Sequence, residues 1–181
     1  MDQTAYRIRR AEPIDAATLA HVHDTTWRET YTGLMSEQML DALTADARTG
    51  AWRRILLGET GHLATTYVAD RDGTLVAFGS CGEQRDPDFA AAGYKGEFTA
   101  VYVLATDQRR GLGTRLMTAM MDDLTARRLT GFTLWAPRNN IPARSLYEQL
   151  GGTLIAQRED SREQGTLVEV AYGWPGPGAA G

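Results

Sequence analysis

The sequence predicts an α+β domain built on one mixed, mostly antiparallel sheet with helices on both faces. Three observations predict it. Apolar runs of strand length, such as Phe98 to Leu104 and Leu75 to Gly82, alternate with longer stretches of helical period such as Leu112 to Arg128. Turn residues punctuate the early and late strands closely enough for hairpins, whereas a whole helix separates the strand at Phe98 from the strand at Gly131, which makes that connection a parallel crossover. Finally, 181 residues suffice to bury roughly 70 % of the unfolded surface around a single core.

Each element has a local reason. Tyr6 to Arg10 reads as a first strand closed by Glu12 and Pro13. Asp15 is placed to cap a helix that carries Leu19, Val22 and Trp27 toward Tyr31, before Gly33 interrupts it. A second helical region follows Ser36 through Met39, Leu40 and Leu43, and a third, around Trp52 to Leu57, stops at Gly58. Leu63 to Ala69 and Leu75 to Gly82, joined by Asp70, Arg71, Asp72 and Gly73, predict an antiparallel hairpin. The stretch from Glu83 to Lys95 is longer than a hairpin needs, so it reads as a lid, a substrate loop or a mobile connection. After the central strand, Leu116, Met117, Met120 and Leu124 recur at helical spacing as core filling.

Gly131 to Ala136 reads as a further strand, Pro137 to Asn140 as a polar turn, and Pro142 sits early in a helix that runs to Leu150 and ends at Gly151 and Gly152. Two last strands, Thr153 to Gln157 and Thr166 to Trp174, flank a charged turn from Arg158 to Gly165. One domain therefore spans residues 1–174, and the Pro, Gly and Ala tail 175–181 is expected to be disordered. The element order is β α α β β β α β α β β.

Composition removes several function classes. Acidic residues outnumber basic ones, 23 to 19, and the arginines are dispersed apart from two pairs, so no nucleic-acid surface is expected. No apolar stretch approaches the length of a membrane span and no secretory leader is read, so no membrane partner is expected and the protein is placed in the cytoplasm. Cys81 stands alone in an apolar run and reads as a small core residue. His21, His23 and His62 make a poor metal set, and none is expected to bind one; His21 and His23 cannot share a helical face and read as surface or half-buried residues.

The chemistry concentrates between Glu97 and Leu116. An apolar strand ends at a polar corner and passes through Gly111 and Gly113 into a helix. The unpartnered amides and the dipole at a helix start attract phosphate. Arg109, Arg110 and Arg115 surround that corner with suitable donors, and the two glycines admit close approach of a ligand. A P-loop is excluded because Thr114 and Arg115, not lysine, follow Gly113, and a dinucleotide fingerprint lacks its third glycine, since Leu116 stands there.

The segment Gln108, Arg109, Arg110, Gly111, Leu112, Gly113 resembles motif A, [QR]-x-x-G-x-[GA], of the GCN5-related N-acetyltransferases. Asn140, Ala143, Tyr147, Glu148 and Gly151 resemble motif B of the same superfamily, with Gly152 where an aromatic is common. The element order is also that family's, from about Tyr6 to Trp174. The resemblance implies acetyl-CoA as co-substrate, with no metal. Backbone at Val101, Tyr102 and Val103 would face the thioester and pantetheine arm at a bulge where the fourth strand splays from the fifth. Gln108 and Arg109 through Thr114, including Leu112, would hold the pyrophosphate, and Asn140 with Ala143 the pantetheine chain.

Transfer of an acyl group from thioester to amine requires a neutral amine, a stabilised oxyanion and a protonated leaving thiolate. Glu97, on the family's fourth strand, is the candidate base, directly or through water; the alternative is an exposed charge at a strand start. Strand alternation would put it on one face with Thr99, Val101 and Val103. Tyr147 is the candidate general acid, or else a packed core aromatic. Trp135 occupies the fifth strand where some relatives that acetylate protein N-termini carry glutamate.

Trp27, Thr30 and Tyr31 share a helical face, as a core stripe or as one wall of an acceptor pocket. In the second reading Trp27, Tyr31 and Trp135, with Asp86 and Asp88 of the Glu83 to Lys95 loop, receive a small primary amine or an amino-acid-like molecule. A protein N-terminus or lysine acceptor, and a non-catalytic acyl-CoA sensor or interaction module, are the competing readings. Edge strands would also permit a homodimer.

Overall fold

The computed structural model describes residues 6–33, 45–60, 64–162 and 165–176. The helical region expected after Ser36, the residue His62 and the tail from 177 onward lie outside the described residues. In chain order the elements are β1 (Tyr6–Arg10), α1 (Ala16–Tyr31), α2 (Ala45–Leu56), β2 (Thr65–Arg71), β3 (Thr74–Glu83), α3 (Pro87–Ala91), β4 (Gly96–Val103), α4 (Leu112–Ala126), β5 (Phe132–Pro137), α5 (Ile141–Gln149), β6 (Thr153–Arg162) and β7 (Gly165–Trp174), with short 3-10 turns at Pro13–Asp15 and Ala105–Asp107. The strands form one sheet of order β1-β2-β3-β4-β5-β7-β6. Every neighbouring pair is antiparallel except β4 and β5, whose crossover through α4 makes them parallel.

Helices cover both faces because both carry apolar side chains. On one face α4 and α5 bury Met117, Met120, Leu124 and Tyr147 against Phe98, Leu134, Tyr172 and Trp174. On the other, Leu19 and Val22 of α1 and Trp52 of α2 pack on Val68 and Phe78. The first turn of α4 adds Leu112 and Leu116 beneath β1 to β3. Cys81 is fully buried and burial pushes its thiol up to about 12, which leaves it an inert core residue.

Local chemistry accounts for most boundaries. Asp72 and Gly73, both left-handed at φ 52 and 82, form the two-residue turn between β2 and β3. That turn is tighter than the four-residue one expected, because Asp70 and Arg71 continue the ladder. Asp15 does not cap α1. It ends the preceding 3-10 turn and bonds Arg9 at 2.7 and 2.9 Å and the Glu12 amide at 2.8 Å.

The Glu83 to Lys95 segment is not a bare loop. Asp86 accepts from the amides of Asp88 and Phe89 through Oδ1 and so caps α3, and neither it nor Asp88 is among the residues that line the pocket between β4 and β5. The charged stretch from Arg158 continues β6 to Arg162, since cross-strand bonds to β7 satisfy it as ladder. Of the tail, Gly176 lies close against Gly131 and Thr130. Among the described residues no helix is long and apolar enough to cross a membrane, and no group of His, Cys, Asp and Glu is arranged to hold a metal ion.

Candidate active site

The sheet is interrupted at one place. β4 and β5 pair only from Gly96 to Phe98 against Phe132 to Leu134, yet β4 stays paired with β3 as far as Val103 and β5 with β7 as far as Pro137. The two strands therefore diverge after Phe98 and leave a wedge between them. A bulge accompanies the divergence: Ser80 faces Ala100 and Cys81 faces Phe98, so Thr99 is left over. Thr30, Tyr31, Thr99, Val101, Tyr102, Trp135, Pro137, Asn140 and Tyr147 are among the residues that line the resulting pocket.

The bulge also resets which side chains face where. Phe98, Val101 and Val103 pack toward α4 and α5 or the α4 start, whereas Ala100 and Tyr102 pack toward α1 and α2. Glu97, next to Phe98, consequently lies on the side of Ala100 and Tyr102 and not with Val101 and Val103, as unbroken alternation would have it.

Backbone amides open into the wedge. Leu104 donates to Val76 of β3 at 2.9 Å, and alternation along the antiparallel ladder then commits the Tyr102 amide to β3 as well, leaving those of Val101 and Val103 directed at the wedge. The Val103 carbonyl confirms the direction, since it accepts from Gln108 Nε2 at 3.0 Å. Of the three residues expected to offer backbone here, Tyr102 instead contributes its ring.

Below the wedge lies the corner between β4 and α4. Arg109 and Gly111 adopt left-handed φ of 62 and 77, which turns the chain sharply into α4, and no side chain caps that helix. Its first amides, Leu112 to Thr114, stay open as an anion cradle. Arg109 and Arg110 are exposed beside it. Arg115 is not: its Nη2 donates to the Tyr6 carbonyl at 2.9 Å and fastens α4 to β1. Gly113 has a packing role, because a Cβ there would meet Leu146 Cδ2 at 2.7 Å. The Leu112 side chain is buried, so only its amide can face a ligand.

Above the wedge three phenols converge, Tyr31 from the end of α1, Tyr102 from β4 and Tyr147 from α5. Burial drives the Tyr147 phenol well above its ordinary value, with the charges of Tyr31 and Tyr172 adding to the effect. Burial likewise raises Tyr31 and, further, Tyr102, which also feel each other and Glu169. All three are therefore proton-bearing hydroxyls at neutral pH. Asn140 lines the pocket; its Oδ1 accepts from the Ala143 amide at 3.3 Å and caps α5, and no hydrogen bond from its amide nitrogen occurs among the described residues, which leaves that nitrogen as a donor for a ligand.

Trp135 lines the wedge, while Trp27 stacks behind Tyr31 at 4.2 Å and is not among the lining residues. Glu97 is also absent from the lining. It is 9 % exposed and ion-paired with Arg85.

A family model described as the Acetyltransferase (GNAT) family matches residues 19–152. The chain belongs to the GNAT acetyltransferase family. It is 27 % identical over 169 residues to the uncharacterized N-acetyltransferase YuaI of Bacillus subtilis (strain 168), covering 93 % of this chain and 92 % of that one. Among solved structures it resembles yncA of Salmonella typhimurium, solved with its cofactor acetyl-CoA, with a TM-score of 0.69 and 22 % identity over 94 % of each chain. It also resembles the PaiA N-acetyltransferase of Thermoplasma acidophilum in complex with coenzyme A, with a TM-score of 0.67 and 18 % identity over 91 % of this chain and 97 % of that one.

Sequence reading passed over two features of this GNAT site. Asp107, fully buried, accepts from Tyr6 Oη at 2.8 Å, Arg71 at 2.5 Å and Thr106 at 2.7 Å, and so pins the corner that precedes the cradle. Burial alone would raise its pKa, but the hydrogen bonds from Thr106 and Tyr6 and the charge of Arg71 outweigh it and hold the carboxyl below the usual range. Its position beside Gln108 was the available signal. The second feature is Glu169 with Arg158, outside both motifs and outside the pocket lining, which the β6 and β7 register pairs and brings against Trp135 at the edge of the wedge.

Proposed function

We propose that this GNAT enzyme transfers the acetyl group of acetyl-CoA to a primary amine of a small or amino-acid-like molecule, by direct attack while both substrates are bound. The divergence of β4 from β5 carries the reading, since it opens a wedge lined by Val101 with its uncommitted amide, three protonated phenols and Trp135. The residues present fit the cofactor. The open amides from Leu112 to Thr114, with Arg109 and Arg110, suit a diphosphate, and the Val103 amide with the Asn140 amide nitrogen suits a pantetheine arm. The acetyl thioester, when bound, would supply the acyl group. The ligands named for yncA and PaiA support the same assignment.

The chain's own groups meet the three chemical demands. The Val101 amide donates toward a carbonyl oxygen on which negative charge develops, a preorganised contact of the kind that removes about 3 kcal/mol from a barrier. Tyr147, kept protonated by burial, gives a proton to the departing thiolate. Glu97 faces the acceptor side but lies outside the pocket lining, so it takes the amine proton through an intervening water, with Arg85 fixing its carboxylate. The aromatic walls formed by Tyr31, Tyr102 and Trp135 favour a small acceptor.

Calorimetry with coenzyme A and a thiol-release screen of primary amines test the reading. Binding of the cofactor and turnover on small amines, lost in the Glu97→Gln, Tyr147→Phe double variant, are expected. Turnover confined to protein N-termini or lysine side chains rejects the small acceptor. Binding without turnover on any amine indicates a sensor, and absence of binding rejects the whole assignment.

A further inference from the structure

Arg158 and Glu169 are directly paired across β6 and β7. Alternation in β5 and β7 puts Leu134, Ala136, Val170 and Tyr172 on the α4 and α5 face, so Trp135, Pro137 and Glu169, with Arg158, lie on the opposite, acceptor-side face. There the Arg158 guanidinium is held from two directions. Its Nε and Nη2 reach Glu169 Oε2 at 2.7 and 2.6 Å, and its carbon lies 4.2 Å from the centroid of the Trp135 ring. Phe89 backs that ring from α3 at 5.8 Å. Trp135 and Pro137, the β5 partner of Glu169, both line the wedge.

One edge of the guanidinium is left over. Nη1 has no partner among the described residues, and the Arg158 side chain is 51 % exposed while that of Glu169 is only 14 % exposed. A cation seeking Glu169 would have to displace Arg158 from a charge-assisted bond and a ring contact together. An anion meets no such obstacle, because a guanidinium fixed on one edge and one face presents its free donors with little further loss of side-chain freedom. The pair adjoins the wedge through Trp135 and Pro137, which line it together with Tyr31 and Tyr102.

We propose that Arg158 is the specificity residue of the acceptor pocket and binds a carboxylate carried by the amine acceptor, with Glu169 as its positioning residue. The proposal rests on the acetyl-transfer reading and narrows the acceptor from any small amine to one that bears an acidic group within reach of Nη1.

Matched pairs of amino acids and their primary amides, assayed with acetyl-CoA, test it. The amide's amino group is the less basic of the two and so is more often neutral, which biases intrinsic reactivity against the expected result. The acid is expected to be preferred at least about 10-fold in kcat/KM. Arg158→Gln should collapse that ratio to within about 2-fold, chiefly through a higher KM for the acid. Arg158→Lys should restore part of the preference, and Glu169→Gln should fall between.

Calorimetry of the same pairs on the coenzyme A-bound protein, with a thermal melt of each variant, separates lost recognition from lost folding. Equal use of acid and amide, a preference that a folded Arg158→Gln leaves intact, or failure of every acid-bearing amine to bind or react overturns the proposal. The first two results leave acetyl transfer standing, whereas failure to bind acetyl-CoA, or binding without turnover on any amine, removes both.

Discussion

Tyr6 and Asp107, 101 positions apart in the chain, are joined by a buried hydrogen bond of 2.8 Å. The bond ties the first strand to the corner from which the anion cradle starts, and the Arg115 bond to the Tyr6 carbonyl ties the same strand to the helix beyond that cradle. The loop from Gln108 to Gly111 is thus clamped at both ends by β1. Glycine accounts locally for the left-handed turn at Gly111, while the left-handed Arg109 is held between these tertiary contacts.

Asp107→Asn should therefore weaken two properties together. Loss of a charged acceptor in a buried network is expected to lower stability by about 2 kcal/mol and to raise the dissociation constant for coenzyme A several-fold, read by denaturant titration and calorimetry. Because the carboxyl is held below its usual range, the stability it contributes in the wild type is present above the ordinary carboxylate pKa and is lost as pH falls through the depressed value. An unchanged cofactor affinity in a destabilised variant would show that the clamp does not shape the cradle.

Gly113→Ala should destabilise through packing. The added methyl would meet Leu146 at 2.7 Å, an overpacking expected to cost about 1 to 3 kcal/mol. Leu146→Ala opens space on the facing helix, so the double variant should recover more stability than the sum of the single effects allows, read as a double-mutant cycle by urea unfolding. Strict additivity would contradict the contact.

His23 makes stability depend on pH. Its ring sits among Trp27, Trp52, Phe78 and Tyr102, with centroids 5.4 to 6.0 Å away, and its Nδ1 is buried with no partner among the described residues. Burial, aided by the Arg48 charge, lowers its pKa to about 4 from 6.5. A histidine depressed on folding favours the native state above its unfolded pKa, and that advantage is lost as pH falls toward the folded value. The loss between pH 7 and pH 5 is expected to be about 2 kcal/mol. His23→Phe, which suits the aromatic surroundings, should abolish that component in urea unfolding at the two pH values; equal acid sensitivity in both proteins would assign the effect elsewhere.

Tyr147→Phe keeps the ring that packs near Tyr172 and Trp174 and removes only the hydroxyl. A fall of about 10²-fold in kcat, with coenzyme A affinity unchanged, is expected if the hydroxyl protonates the leaving group. Its raised pKa further predicts that wild-type kcat shows no loss from phenol ionisation below about pH 10. An unaltered kcat in the variant would reduce Tyr147 to a core aromatic.

Features that depend on neighbours along the chain were legible before any fold was known. Motif A located the corner because left-handed Gly111 and an uncapped helix start are local properties, and motif B singled out Asn140 and Tyr147, which the structure shows as the cap of α5 and a buried ring. Alternating strand and helix periods gave the mixed sheet for the same reason. Only the tertiary structure decided matters of register. The bulge at Thr99 reversed the face on which Glu97 lies, the ladder with β3 withdrew the Tyr102 amide from the wedge, and pairing of β6 with β7 brought Arg158 and Glu169 to Trp135. A shift of one residue in a strand exchanges its two faces, and nothing in a linear pattern of apolar and polar residues records which partner strand imposes that shift.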